Sequence, residues 1–119
     1  HMVRVPGPGR FELRLPDGAA NPYLLQAVII AAGLSGVRSG ADPGPRHDID
    51  MYAEGHTVKD APRLPLNLLD AIRAYDADGE LKSLMGEAFS AAYTTLKTQE
   101  WNSYVSHFSR WERDTTLDI

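Results

Sequence analysis

The chain has 119 residues, a formal net charge of −4, 43% hydrophobic and 24% charged residues, and no cysteine. That is one domain's worth of material with an ordinary globular composition. It excludes disulfide frameworks, thiolate metal sites and cysteine nucleophiles, and the acidic balance excludes nucleic acid and an acidic membrane surface as general partners.

In chain order, His1-Met2 reads as a cloning scar ahead of a piece that begins at Val3. Gly7-Pro8-Gly9 is a turn signal that divides residues 4–17 into two strands. The second strand alternates strictly, with Phe11, Leu13 and Leu15 on one face and Arg10, Glu12 and Arg14 on the other. Asn21-Pro22 then starts a helix, Asn as the cap and Pro in the first turn, where its missing N–H is not needed. From Tyr23 to about Leu34 this helix is apolar nearly all round and is expected to close at Gly33/Gly36 and to be covered on several sides. Only Gln26 interrupts the run, yet it is shorter than the roughly 18 residues that a membrane span needs.

Ser35 to Pro65 is rich in Gly, Pro, Asp and His without a period and reads as a long loop with Met51-Tyr52 as an anchor. After Pro65, Asn67 can cap a short helix that Asp70 supports, with Leu68, Leu69, Ala71, Ile72 and Tyr75 as its buried stripe. Asp76 to Gly79 ends that helix. Asp78 caps the next, which starts at Glu80 and Leu81 and breaks at Gly86. Phe89, Tyr93, Leu96, Trp101, Tyr104, Phe108 and Trp111 then recur at three- to five-residue steps, predicting one helix to about Arg113, with Thr115 to Ile119 as a tail. The fold class is therefore α+β and mostly α-helical, a short N-terminal strand pair followed by three or four helices.

Chemistry concentrates in the strand pair. Residues 3–14 hold Arg4, Arg10 and Arg14 against Glu12, a basic segment in an otherwise acidic chain. Guanidinium forks suit bidentate binding of phosphate or carboxylate, and a carboxylate beside them suits a divalent cation. From pattern alone a solvated sheet face with an internal Arg-Glu pair serves equally, and both readings stay open. His1, His47, His56 and His107 include no pair at i, i+3 or i, i+4, and His47 with Asp48 and Asp50 reads as a solvated turn, so no metal is assigned there. Gly7-Pro8-Gly9-Arg10 lacks the Lys and Ser/Thr of a phosphate loop. Ser83, Ser90 and Ser103 have no evident base partner.

Arg4-Val-Pro, Arg10-Phe-Glu-Leu-Arg-Leu-Pro-Asp, Asn21-Pro-Tyr-Leu and Ala32-Gly-Leu-Ser-Gly together resemble the C-terminal part of the glutamine synthetase catalytic domain. Asp48-Ile-Asp-Met-Tyr52, Leu64-Pro65, Asn67-Leu68 and the closing Trp111-Glu-Arg-Asp-Thr-Thr-Leu-Asp extend the resemblance over the whole chain after the scar. The closing segment is most similar to bacterial type III glutamate-ammonia ligases, a branch that includes γ-glutamylmethylamide synthetases. Ser35 and Asp50 depart from the family, which commonly has Asp and Asn there.

The resemblance implies an ATP-dependent ligase that joins glutamate to ammonia or a small amine through a γ-glutamyl phosphate, with Mg2+ or Mn2+, in the cytoplasm. It implies that residues 3–17 are a strand pair of the catalytic barrel and 18–119 the helical C-terminal part of the same domain. Arg4 would touch the transferring phosphate, Arg10 would lie beside the nucleotide, Glu12 would ligate a metal bridging the ATP phosphates, and Arg14 would bind the glutamate carboxylate or acyl phosphate. The family's other metal-ligating Glu and His residues and its N-terminal domain have no counterpart here. The 119 residues alone are therefore expected to be inactive, to hold no cofactor tightly and to be a monomer or weak dimer, whereas the full-length parent is expected to be a homo-oligomer. A helical structural or interaction module is the alternative, with the aromatic stripe as its contact surface.

Overall fold

The computed structural model describes residues 2–116. His1 of the expected scar and residues 117–119 of the expected tail lie outside them. Between Arg63 and Leu64 the chain divides into two compact units.

In the first unit, β1 (Val3–Gly7) pairs antiparallel with β2 (Arg10–Leu13), with Val3 opposite Leu13, Arg4 opposite Glu12 and Gly7 opposite Arg10. Pro8-Gly9 fills the two-residue turn, and Gly9 at φ 73° supplies the left-handed conformation that the second central residue of a type II turn requires. The register slips between Arg4 and Gly7, on the stretch that contains Pro6, which has no N–H to lend the ladder. The Arg14 N–H donates to the Met2 carbonyl at 2.8 Å and carries the pairing one step beyond β2.

The helix α1 (Pro22–Ser39) starts as expected: the Asn21 side chain accepts from the N–H groups of Tyr23 and Leu24. It runs through Gly33 and Gly36 and ends a turn later than expected. Gly40 stops it, at φ 62°, donating to the Val37 carbonyl while Ala41 donates to Gly36, the bond pattern of a Schellman close. The expected cover on several sides is not found: α1 fully buries none of its side chains, Leu24, Leu25, Val28 and Ile29 are half-buried along one stripe, and Tyr23 is 82% exposed. The expected 35–65 loop is shortened by the end of α1 and carries α2 (Met51–Glu54), capped by Asp50, followed by a 3-10 turn at Gly55–Thr57. Met51 packs near Gly55, but Tyr52 is 99% exposed and anchors nothing.

The second unit is built from α3 (Leu68–Ala77), α4 (Gly79–Met85), α5 (Glu87–Val105) and α6 (Arg110–Thr116). Asn67 and Asp78 cap α3 and α4 as expected, accepting from Asp70 N–H and Leu81 N–H. Gly86 at φ 94° separates α4 from α5. The three or four helices expected from sequence correspond to α1, α3, α4 and α5, with α2 and α6 added. α6 exists because the expected single helix to Arg113 is interrupted. Ser109 and Glu112 form a capping box there: Glu112 accepts from Ser109 N–H at 2.7 Å and Ser109 Oγ accepts from Glu112 N–H at 3.2 Å. The Ser109 backbone N–H foremost, and the Ser109 side chain with it, hold the Glu112 carboxyl below its ordinary pKa.

What joins α3, α4 and α5 is polar and aromatic. Ser90, 1% exposed, shares a 2.7 Å hydrogen bond with the Tyr75 hydroxyl and donates to the Lys82 carbonyl at 3.1 Å. Tyr93 stacks on Phe89 and meets Tyr75 edge-on, with ring centroids 5.6 and 6.1 Å apart. Further along the stripe, Leu96, Tyr104, Phe108 and Trp111 are exposed. Among the described residues no apolar side chain is fully buried, and no helix is long and apolar enough to cross a membrane.

Candidate functional site on the strand pair

The strand pair brings three of the four expected site residues into direct contact. Antiparallel register sets Arg4 opposite Glu12, and the two-residue period of an extended chain sets Arg14 on the same side of β2 as Glu12. Arg4 Nη1 donates to both carboxylate oxygens of Glu12, at 3.1 and 3.2 Å. Arg14 Nη2 donates to Glu12 Oε2 at 3.3 Å. One carboxylate therefore lies between two guanidinium groups. Its pKa is lowered, by the Arg4 hydrogen bond foremost; desolvation opposes this, and the Arg14 hydrogen bond and the charges of both arginines add to the lowering, so Glu12 is ionised at neutral pH. All three side chains keep 40–47% of their surface in solvent, open to a ligand.

Arg10 stands apart. It lies opposite Gly7 beside the turn and has no hydrogen-bond or ion-pair partner among the described residues. Its guanidinium is available where those of Arg4 and Arg14 are engaged.

Chemically the cluster can do two things. Its forks can hold an anion bidentately, and its carboxylate can give one hard oxygen ligand to a divalent cation. Among the described residues no group of three or more His, Asp or Glu could hold a metal by itself.

The other sequence candidates disperse. Asp48 pairs with Arg46 at 2.7 Å and Asp50 caps α2, so the acidic loop around His47 is engaged in local structure. Ser90 is a structural hydroxyl. A cleft of about 170 Å³ lined by Asp76, Lys82, Glu87, Ser90, Ala91 and Thr94 holds a buried Thr94 hydroxyl without a partner. It is smaller than the roughly 300–1,000 Å³ of ordinary ligand pockets. The Tyr75-Ser90-Lys82 junction escaped the sequence reading because its members lie 8 and 15 residues apart, outside any helical spacing.

Residues 1–116 match the family described as "Glutamine synthetase, catalytic domain". The chain is 76% identical over its whole length to a glutamine synthetase of Rhizobium leguminosarum bv. phaseoli, of which it covers 27%. It is 39% identical, over 99% of its length, to a glutamate-methylamine ligase of Methyloversatilis universalis, again covering 27%. A solved structure described as "Apo GmaS without ligand" superposes with a TM-score of 0.94 at 60% identity, over all of this chain and 28% of that one. The chain thus spans about a quarter of the length of the relatives it matches. At this level of identity, with the family match running from one end to residue 116, the chain belongs to the glutamine synthetase family, within its catalytic domain.

Proposed function

We propose that this chain forms one wall of the active site of an ATP-dependent ligase that makes glutamine, or a γ-glutamyl amide, from glutamate and ammonia or a small amine. The observation that carries the reading is the contact of Arg4 and Arg14 with Glu12 on a strand pair whose sequence is that of the family. Of the two relatives described above, one is named for glutamine and the other for methylamine, which keeps both acceptors in the proposal.

In this proposal Arg4 binds the phosphoryl group as it leaves ATP, and Arg10 lies beside the nucleotide. A structural neighbour described as "GmaS/ADP complex-Conformation 1", 60% identical with a TM-score of 0.90, supports a nucleotide in such a scaffold. Arg14 holds the glutamate carboxylate and then the acyl phosphate. Phosphoryl transfer asks mostly for positioning and charge neutralisation, which forked cations supply without covalent chemistry of their own. Glu12, ionised and half-exposed, is suited to hold Mg2+ or Mn2+, which when bound supplies further neutralisation of the phosphates. Remaining ligands would come from nucleotide oxygens, water and other parts of the full-length enzyme. The full-length enzyme is proposed to be cytoplasmic and homo-oligomeric.

The test is an assay of the full-length enzyme with glutamate, ATP and a panel of amines. Phosphate release that requires glutamate and an amine is expected, and the preferred amine names the product. Release indifferent to glutamate, or none with any amine, overturns the proposal.

A further inference from the structure

We propose that Glu12 is an exchange partner: without a divalent cation it holds the guanidinium groups of Arg4 and Arg14, and a cation that takes the carboxylate releases both to an anionic ligand. Cation and anion then bind with positive coupling. The inference rests on the reading of Glu12 as a cation ligand and of Arg4 and Arg14 as anion-binding groups.

An ionised carboxylate has about four lone-pair positions. In Glu12 three hydrogen bonds already use them, two from Arg4 and one from Arg14. A dication at the same oxygens competes for those lone pairs and repels the guanidinium groups beside it. About one position is left to it, so a dication that takes more than that one displaces guanidinium contacts, and its charge repels those that remain.

The guanidiniums are the mobile set. Their bonds to Glu12, at 3.1 to 3.3 Å, are longer than the roughly 2.7–2.9 Å of strong charge-assisted hydrogen bonds. The pairs are also close to half-exposed, where water replaces them readily. A released fork next to a newly bound dication is an anion site of complementary charge, and phosphate or carboxylate fits its two parallel donors. Arg10 supplies the contrast: with no partner on Glu12, it is available at all times, and its contribution to anion binding does not depend on the cation.

Linkage makes the coupling reciprocal. The experiment is calorimetry on the full-length enzyme without nucleotide, measuring glutamate affinity with and without Mn2+ and Mn2+ affinity with and without glutamate. The expected wild-type factor is about tenfold in each direction, inside the range usual for coupled sites. Glu12→Gln should bind glutamate without Mn2+ about as tightly as wild type does with it, and Mn2+ should add less than about twofold. Glu12→Asp keeps the charge but is one methylene short of spanning both arginines, so its cation-free glutamate affinity should exceed that of wild type by about threefold. Arg10→Gln should leave the coupling factor between glutamate and Mn2+ at its wild-type value.

A wild-type factor of one overturns the exchange, as does a Glu12→Asp variant with cation-free affinity and coupling like those of wild type, which would mean that only a through-space field acts. If Glu12→Gln and Arg14→Lys leave every glutamate and Mn2+ affinity unchanged, the site assignment itself falls and takes the exchange with it. If those affinities change while the wild-type factor is one, the assignment stands and the exchange alone is wrong.

Discussion

Replacing Arg14 with Lys in the full-length enzyme keeps the charge and separates the two readings of the strand pair. In the structure Arg14 touches Glu12 through one nitrogen at 3.3 Å, with 46% of its side chain exposed. If that contact were its whole role, it would be a surface pair of the kind whose loss is scarcely measurable, and Lys would replace it well. If instead Arg14 grips the glutamate carboxylate or the acyl phosphate, two parallel N–H donors are exchanged for a point charge on a flexible stem. Two residues along an extended strand are about 7 Å, so Arg14 and the proposed cation ligand Glu12 can face opposite ends of a γ-carboxylate and its phosphoryl group. Losing one bidentate contact that tightens in the transition state should lower kcat/KM by roughly 10²-fold, about 2.7 kcal/mol. Steady-state kinetics with glutamate varied reads this directly. A fall in kcat as well as a rise in KM is expected, because the contact is stronger to the acyl phosphate than to glutamate. A Lys variant within about threefold of wild type would remove Arg14 from the substrate site.

The strand pair was legible because its period is two residues and its turn is short. Once Gly7-Pro8-Gly9 is read as a turn, Arg4 and Glu12 must face each other within a residue or so, and the two arginines converge on one carboxylate. The caps at Asn21, Asn67 and Asp78 were legible for a similar reason, since each acts over two or three residues. The end of α1 was misplaced because Gly33 and Gly36 were weighed as breakers. A glycine inside a helix costs only about 1 kcal/mol, and the chain passes both to reach Gly40, where a left-handed close satisfies the last carbonyls. The break before α6 was missed although Ser109-Arg-Trp-Glu112 is a capping-box sequence, because the aromatic steps run across it and periodicity outweighed the cap. Burial was the larger error. The apolarity of α1 records a need for cover, and nothing in a helix's own sequence says where that cover comes from; among the described residues Tyr23, Ile30, Leu34 and Val37 are exposed. The roles of Arg4, Arg10, Glu12 and Arg14 rest on family resemblance, since charge pattern alone left a solvated face as good an account.

The 119-residue chain by itself is expected to show no ligase activity, because one carboxylate cannot hold the family's cations; phosphate release dependent on ATP and glutamate, abolished by Glu12→Ala, would contradict this. Stability should depend on pH through Glu112. Its folded pKa lies below the ordinary value of a free Glu carboxyl, so its capping contribution is complete above that ordinary value and is lost as pH falls through the lower, folded one. Ser109→Ala keeps the backbone N–H, the larger cause, so it should raise the Glu112 pKa only part of the way to its ordinary value, read by NMR titration of the carboxyl; a full return would show that the Ser109 side chain and not its N–H is the main cause. Ser90 carries the last expectation. Its hydroxyl is the buried node at which α3, α4 and α5 meet, bonded to Tyr75 and to the Lys82 carbonyl. Removing it in Ser90→Ala strands two partners in a site that a methyl group fills without clash, so the cost is that of unpaired polar groups, about 1–3 kcal/mol. Tyr75→Phe removes one partner and leaves Ser90 bonded to Lys82, so it should cost less, about 1 kcal/mol. The double variant should cost less than the two together, because the shared hydrogen bond can be lost only once. Urea unfolding of the full-length enzyme reports all three, and additive effects would show that Tyr75 and Ser90 stabilise the junction independently and that the hydrogen bond between them is not what holds it.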